Sequence, residues 1–351
     1  MPEDLHRTGI LLVNLGTPDA PEPAPVRRYL RQFLSDPRVI DINPVGRAAL
    51  LYLVILPFRP ARSAAAYQKV WTPEGSPLLV HGRALTERLR ERIPEHPIEL
   101  GMRYGNPSLA SAVDRLREQQ CDRLLVVPLY PHYAASSTGS TIEELARITG
   151  SLWTTPFVSI VPPFYDHPAF LDAFTTVAKA KLAEFEADHL LFSFHGLPER
   201  QVVRCADPSV CLASASCCET ISAANRNCYR AQCHVTAREL ARALELGKEG
   251  EGWSIAFQSR LGRTPWIKPY TDEVVPALAK RGVRKLAVMC PAFVADCLET
   301  LEEIGMRAHE EFLAAGGEEL QLVPSLNSHP AWVEGVEALI RERLPHAVTM
   351  A

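Results

Sequence analysis

The chain has no apolar run long enough to cross a bilayer. The uncharged apolar stretch AALLYLVILPF at 48–58 sits between Arg47 and Arg59, whereas a spanning helix needs about 20 apolar residues. A secretory leader is missing as well. The first apolar run covers only 9–15 with no small-residue cleavage site, so a cytoplasmic protein is expected. Strong charge is also absent: a net charge of -4 and a pI near 6.3 leave no basic footprint for nucleic acid. Finally, no G-x-G-x-x-G follows the first apolar run. Asn14-Leu15-Gly16-Thr17-Pro18 stands there instead, and the prolines between Pro18 and Pro25 oppose a tight phosphate-cradling turn, which disfavours a dinucleotide enzyme.

What is present suits two domains of ordinary size: 351 residues, 47% hydrophobic and 22% charged. Buried-type strand patterns lie at 10–15, 98–102, 124–129, 157–161, 190–194, 254–258, 286–289 and 320–323. Helical patterns fall between them at 79–92, 108–119, 169–184, 236–246, 272–281, 297–314 and 331–342. This alternation predicts parallel sheets with crossover helices on both faces. The halves also echo each other. LLVNLGTP at 11–18 returns as LLFSFHGLP at 190–198, with Gly16 and Pro18 matching Gly196 and Pro198, and Arg103-Tyr104-Gly105 returns as Arg260-Leu261-Gly262. Two similar doubly wound domains, 1–160 and 161–351, are expected to face each other across a cleft, with ligands at the carboxyl ends of the strands. The last helix is expected to pack back on the first domain. The 48–58 run reads either as a buried helix or as an exposed lip, flanked by Arg47, Arg59 and Arg62, that touches lipid or takes an apolar substrate. STGST at 137–141 reads as a helix cap or as an anion-binding helix start.

Chemistry concentrates in the second half. Six of the nine cysteines crowd into 205–233 as C-x5-C-x5-C-C-x9-C-x4-C. Cytoplasmic thiols stay reduced, so this pattern points to ligation rather than disulfides. His195 directly follows the apolar run at 190–194 and is held by Gly196 and Pro198, so its imidazole is expected to open into the cleft. Read as a helix, ADCLETLEEIGMRAHEEF at 295–312 places Asp296, Glu299 or Thr300, Glu303 and Arg307 on one face. A lone histidine is usually structural and an acidic face usually solvated, yet together they suit one reaction. Carboxylates hold first-row divalent ions weakly enough to release them, and a histidine is the natural proton acceptor. Insertion of a metal into a macrocycle that must shed its ring protons fits the pair.

The order of longer segments is more specific: LLVNLGTPDAP from Leu11, RRYLRQFLSDPRVID from Arg27, EGSPLLVHG from Glu74, GMRYGNPSL from Gly101, VVPLYPHYAASSTGST from Val126, SFHGLPER from Ser193, FQSRLGRTPWIKPYTDE from Phe257 and CPAFVADCLETLEEI from Cys290. Through them nearly the whole chain resembles the ferrochelatase family of haem synthesis. The resemblance implies two Rossmann-like, chelatase-like domains around a porphyrin cleft. It also implies a lyase that inserts Fe(II), its substrate, into protoporphyrin IX with release of two protons. His195 falls on the family's active-site histidine in S-x-H-x-L-P, and Glu299 on its glutamate in D-x-x-E-T-L. Both are implied to be catalytic and, with the flanking Asp296 and Glu303, to contact metal. Cys297 stands where some members have histidine. Leu15, Arg103, Tyr104, Tyr133 and Trp266 fall on porphyrin-lining positions, with Trp266 and Tyr133 offering flat faces and Arg103 a propionate partner.

Some members act on coproporphyrin III and carry tyrosine where Leu15 stands; that departure favours protoporphyrin IX, with coproporphyrin III as the alternative. The 48–58 segment looks like the family's membrane-facing lip, implying peripheral attachment to the inner membrane, and a homodimer is admitted. Some members hold a 2Fe-2S cluster, often on a C-terminal extension. Here an internal cluster on Cys205, Cys211, Cys218 and Cys228 is expected. Cys217 is the alternative to Cys218, since adjacent cysteines do not easily point the same way. Zinc is the alternative occupant. A cluster-bearing iron-sensing protein on the same scaffold is the rival outside enzymes.

Overall fold

Eight short apolar runs become eight parallel strands in a computed structural model that describes residues 6–214, 216–262 and 264–344; the run at 157–160, expected to be buried, is largely exposed as an edge strand. The outer limits of the two expected domains, 1 and 351, lie outside the described residues. Strands β1 (Thr8–Thr17), β2 (Ile98–Gly105), β3 (Arg123–Pro128) and β4 (Phe157–Ile160) form one sheet in the order β2-β1-β3-β4. Strands β5 (His189–His195), β6 (Trp253–Gln258), β7 (Lys285–Met289) and β8 (Glu319–Leu322) form a second, ordered β6-β5-β7-β8. Every pairing is parallel. The sequence echo is thus a repeat of topology, and within each sheet all carboxyl ends lie on one edge.

Two glycines matched by that repeat have the same physical duty. A Cβ on Gly16 would lie 1.7 Å from the Tyr104 carbonyl oxygen on β2, and one on Gly196 would lie 2.8 Å from the Gln258 carbonyl oxygen on β6. Each marks a place where the central strand's end presses against its neighbour's backbone, which only glycine permits.

Helices α1 (Pro23–Ser35), α2 (Pro44–Ala49), α3 (Leu56–Val70), α4 (Pro77–Arg92), α5 (Leu109–Glu118) and α6 (Ser140–Gly150) accompany the first sheet. Helices α7 (Pro168–Glu184), α8 (Glu199–Val203), α9 (Tyr229–Ala243), α10 (Thr271–Lys280), α11 (His309–Ala314) and α12 (Pro330–Arg341) accompany the second. Proline opens α1, α4, α7 and α12, where its missing N–H is not needed and its φ is already helical. Among the described residues three segments are π-helical: Leu50–Ile55, Ala135–Gly139 and Glu299–Ala308. The first joins α2 to α3 through the 48–58 run. Leu51 and Leu56 there are buried with Val26, Tyr29 and Tyr67, but Leu53 and Phe58 are 72% and 77% exposed, with Tyr52 and Val54 exposed beside them. The run is therefore an exposed lip rather than a buried helix.

The two halves share one apolar core. Ile10, Leu12, Leu125 and Val127 of the first sheet belong to the same buried cluster as Leu190, Phe192 and Phe194 of the second, filled by Phe170 and Trp332. Helix α12 lies against both α7 and α4. Ion pairs from Arg92 to Glu337 and from Arg341 to Glu95 (3.0 Å) hold it there. A second tie is Asp41, which pairs with Arg200 of α8 at 2.5 Å and Arg204 at 3.3 Å.

Candidate active site at the strand ends

His195 is the last residue of β5, so the strand delivers it to the carboxyl edge of the sheet. Its Nδ1 lies 2.6 Å from the carbonyl oxygen of Gly196. A carbonyl only accepts, so Nδ1 carries the proton and the lone pair is left on Nε2. The half-buried ring stands between Trp266 and Phe293, with centroids 6.5 and 6.3 Å away. Trp266 is fixed by its indole N–H, which donates to the Leu261 carbonyl at 2.9 Å, while the Ile267 N–H donates to the Leu197 carbonyl at 3.0 Å. Trp266 and Ile267 are thereby stitched onto the turn that follows His195.

Glu299 opens the π-helical segment Glu299–Ala308. The expected helix is present and Glu303 pairs with Arg307 at 3.6 Å along it, but the full ladder is not. A π turn takes about one residue more than the 3.6 of an α-helix, and Asp296 precedes the helix altogether. Asp296 is buried and occupied: Oδ1 accepts from the Thr300 hydroxyl at 3.0 Å and the Ser325 N–H at 3.3 Å, and Oδ2 from the Asn327 amide at 2.7 Å. Glu303 accepts the Ser259 N–H at 2.9 Å and its hydroxyl at 2.6 Å. These carboxylates brace the loops around them. The metal set expected from His195, Glu299, Asp296 and Glu303 does not converge. Among the described residues no three His, Cys, Asp or Glu side chains are grouped to hold one ion.

Glu299 instead looks toward the first half. The neighbouring Tyr67 phenol is raised well above its ordinary range by burial and then by the Glu299 charge. Tyr29 is raised by burial first, with Tyr67 and Glu299 adding to it. Burial lowers Arg59, an effect Arg62 reinforces and Glu299 opposes. Burial and then Glu299 push the Cys297 thiol up. Tyr29 and Tyr67 are site residues that sequence reading missed; the only signal was a tyrosine among small or basic residues on each of two helices.

The opposite wall comes from β1 and β2. Leu15 packs with Tyr29, Tyr104, Leu56 and Leu298. Arg103 does not point outward as an open propionate partner. Its Nη2 donates to Asp36 at 2.8 Å and its Nε to the Ser140 hydroxyl at 2.7 Å. Tyr104 and Ser140 also donate to Asp36, at 2.8 and 2.6 Å. Ser140, in the STGST segment, thus serves this network. Tyr133 is half-buried, its N–H held by the Gln232 side chain at 2.7 Å. A cavity of about 500 Å³ opens beside this wall and includes Thr17, Arg28, Tyr29, Arg31 and Tyr52.

The cysteine insert separates into parts. The Sγ atoms of Cys211 and Cys228 are 3.8 Å apart, and those of Cys217 and Cys218 3.7 Å. The adjacent pair does point one way, contrary to expectation. A turn closed by the Glu219 N–H on the Ser216 carbonyl (2.9 Å) directs both toward Arg230, whose Nη1 lies 3.1 Å from Cys218 and 3.9 Å from Cys217. Asn225 fixes that turn by donating to the carbonyls of Cys217 (3.2 Å) and Thr220 (2.8 Å). Cys205 stands elsewhere, near Arg38 and Tyr133.

One further residue was invisible in the sequence. His132 is buried where the halves meet, its ring among Phe170, Phe194 and Tyr229, and burial lowers its pKa to about 3. It is structural, not a second base.

Residues 7–344 match the family model described as Ferrochelatase. A protein named Ferrochelatase from Azotobacter vinelandii is 52% identical over 335 residues, covering 95% of this chain and 98% of that protein. One of the same name from Coxiella burnetii is 48% identical over 340 residues, covering 97% and 94%. Among solved structures, SirB from Bacillus subtilis with Fe3+ superposes with a TM-score of 0.53 at 14% identity, covering 96% of this chain and 95% of that one. The sirohydrochlorin chelatase SirB in complex with cobalt gives 0.54 at 12% identity, over 96% and 94%. These two share the fold, a pair of Rossmann-like parallel α/β units of chelatase type.

Proposed function

The chain belongs to the ferrochelatase family, lyases that insert a metal into porphyrin for haem synthesis, and from that membership we propose that its reaction is insertion of Fe(II) into protoporphyrin IX with release of two protons. The observation that carries this reading is the lock on His195. Its Nδ1 proton is committed to Gly196, so Nε2 is left at the cleft to take a pyrrole proton or meet the metal. Glu299, facing Tyr29 and Tyr67, is the partner that receives iron or the second proton. Leu15, Tyr133 and Trp266 supply walls for the macrocycle. Bending it between them would turn nitrogen lone pairs out of the ring plane, toward the metallated geometry.

Arg103 and Tyr104 hold the pocket wall through Asp36. The cations that line the adjoining cavity, Arg28 and Arg31, are better placed for two propionates. An apolar Leu15, rather than a tyrosine, favours a two-carboxylate substrate over the four-carboxylate coproporphyrin III. Asp296 and Glu303 are bracing groups in this reading, and direct metal contact is kept for His195 and Glu299. Under anaerobic conditions the protein should convert Fe(II) and protoporphyrin IX to protohaem faster than it metallates coproporphyrin III. His195→Ala should lower kcat at least about 100-fold. Full turnover by that variant, or preference for coproporphyrin III, would overturn the reading.

The insert fits a 2Fe-2S cluster held by Cys211 with Cys228 and Cys217 with Cys218. Sulfurs 3.7–3.8 Å apart span about the edge of a tetrahedron with metal–sulfur bonds of about 2.3 Å. A cluster asks two thiolates of each iron and zinc four around one ion; the cluster-bearing members of the family favour the cluster here. Burial raises the Cys211 and Cys217 thiols, and the Cys228 thiol and then burial raise Cys218. All three need a bound metal to become thiolates. A bound cluster supplies a one-electron centre. Cys217→Ser should remove iron, acid-labile sulfide and visible absorption, while Cys205→Ser should leave all three; the reverse result would restore Cys205 as a ligand.

The exposed lip supports attachment to a membrane surface, and no helix among the described residues is long and apolar enough to cross one. The division into units 1–160 and 161–351 remains our proposal for the domain boundary.

A further inference from the structure

We infer that Gln258 is a positioning residue for the insertion reaction, holding His195 and Glu299 at their working separation through hydrogen bonds to the backbone beside one and of the other. The inference rests on the assignment of those two residues as the reacting pair.

Gln258 closes β6 and is 2% exposed. Its backbone carbonyl accepts the Gly196 N–H at 2.7 Å. Gly196 is also the residue whose own carbonyl takes the His195 Nδ1 proton, so Gln258 anchors the short piece of backbone that orients the imidazole. On its other side, Nε2 of Gln258 donates to the Glu299 carbonyl at 2.8 Å. The Gln258 backbone therefore holds the turn after His195, while its buried side chain joins Ser193, two residues before His195 on β5, to the first residue of the π-helical segment.

The amide can be read in only one sense. Its Oε1 receives the Ser193 hydroxyl at 2.8 Å and the Cys290 thiol at 3.7 Å. Rotating the amide by half a turn would put its NH2 against those two groups and its oxygen against the Glu299 carbonyl. Ser193 is itself joined to Thr271 at 2.9 Å. The next residue continues the grip: Ser259, at a strained φ of +68°, gives its N–H and hydroxyl to Glu303, four residues beyond Glu299. The end of β6 thus holds the π segment at two points, carbonyl and carboxylate.

None of the Gln258 side chain's contacts reaches into the cleft, so its effect must pass through the groups it holds. A reacting pair tolerates little misplacement. The acceptor face and the donor face of the amide are both in use, so an isostere that lacks either face should fail.

The tests are Gln258→Glu, which keeps shape but cannot donate to Glu299, and Gln258→Met, which keeps approximate volume and no hydrogen bond. Each folded variant should lose about 10- to 100-fold in kcat for iron(II) insertion, with KM for protoporphyrin IX within about threefold of the parent. In the double variant with Glu299→Gln, Gln258→Met should cost less than about threefold more, because both changes disable the same group. Parental kcat in the folded single variants, or fully multiplicative losses in the double, would overturn the inference. Parental turnover of Glu299→Gln alone would instead remove Glu299 from the reaction. Should neither Gln258 variant fold, Ser193→Ala, which frees the amide to rotate, should lower kcat by about threefold with KM unchanged; no effect there would count against the proposal.

Discussion

A buried carboxylate beside an arginine can brace a pocket or bind a ligand, and the number of its lone pairs already taken decides which. Asp36 has four donors: Arg103, Tyr104 and Ser140 on Oδ2, and the Arg38 N–H on Oδ1 at 2.7 Å. Burial would raise its pKa, yet the Ser140 hydroxyl, the Arg38 N–H, the Tyr104 hydroxyl and Arg103 together hold it below the usual carboxylate value. Such a saturated group braces. Asp296 with three donors braces in the same way, and Glu303 is held at both oxygens by Ser259; sequence spacing could not show this because the donors come from residues up to 44 positions away. Removing the charge strands Arg103, which is only 13% exposed. Asp36→Asn should therefore cost about 3–5 kcal/mol of stability, against about 1 kcal/mol for Ser140→Ala. Urea denaturation of the two variants measures both, and equal small losses would show that Arg103 finds another partner.

At the level of elements, strands were the easiest to read. Apart from the edge strands β4 and β8 they are buried on both faces, so runs such as Leu190–Phe194 stand out as unbroken aliphatic and aromatic segments between polar helices. The π-helical segment was not legible, because its widened turn is held from outside by Gln258 and Ser259 rather than by any local residue pattern. The Cys217–Cys218 pair was misread for a similar reason: its direction is set by Asn225 and the turn at Ser216, not by adjacency. The lip lay between two readings in sequence, and the answer depended on which apolar side chains found partners. Leu51 and Leu56 did, while Leu53 and Phe58 did not. If those two enter the acyl boundary, each contributes about 1.5–3 kcal/mol. Leu53→Asp with Phe58→Asp should lower partition onto anionic phospholipid vesicles by at least about 100-fold, with turnover of detergent-dispersed porphyrin unchanged. Undiminished cosedimentation with vesicles would exclude the lip as the contact.

The whole molecule shows the limit of the repeat. Equivalent strand orders were foreshadowed by matched glycines and prolines, while the core between the halves is built from residues of both. His132 sits in that shared region, bridging the first half to α9. Its Nε2 lies 2.9 Å from the Thr236 hydroxyl, which spends its own proton on the Tyr165 carbonyl at 2.6 Å. Nε2 must therefore be the N–H, and Nδ1 is a buried lone pair without a partner among the described residues. Protonating it would bury an unmatched charge, which is why burial holds the pKa at about 3. The unfolded chain, with a histidine pKa near its usual value of about 6.5, binds that proton first. Stability from this group is complete above pH ~6.5 and is lost at about 1.4 kcal/mol per unit as pH falls toward 3. His234, also lowered to about 3 by burial and then by Arg230 and Arg238, adds in the same window. His132→Phe keeps an aromatic ring among Phe170, Phe194 and Tyr229, and Thr236 keeps its bond to Tyr165. The variant should therefore shrink the stability difference between pH 7 and pH 5 by about 2 kcal/mol in urea titrations at the two pH values. An unaltered difference would mean that the proton enters the folded protein at His132 and that the joint between the halves is wetter than its packing shows.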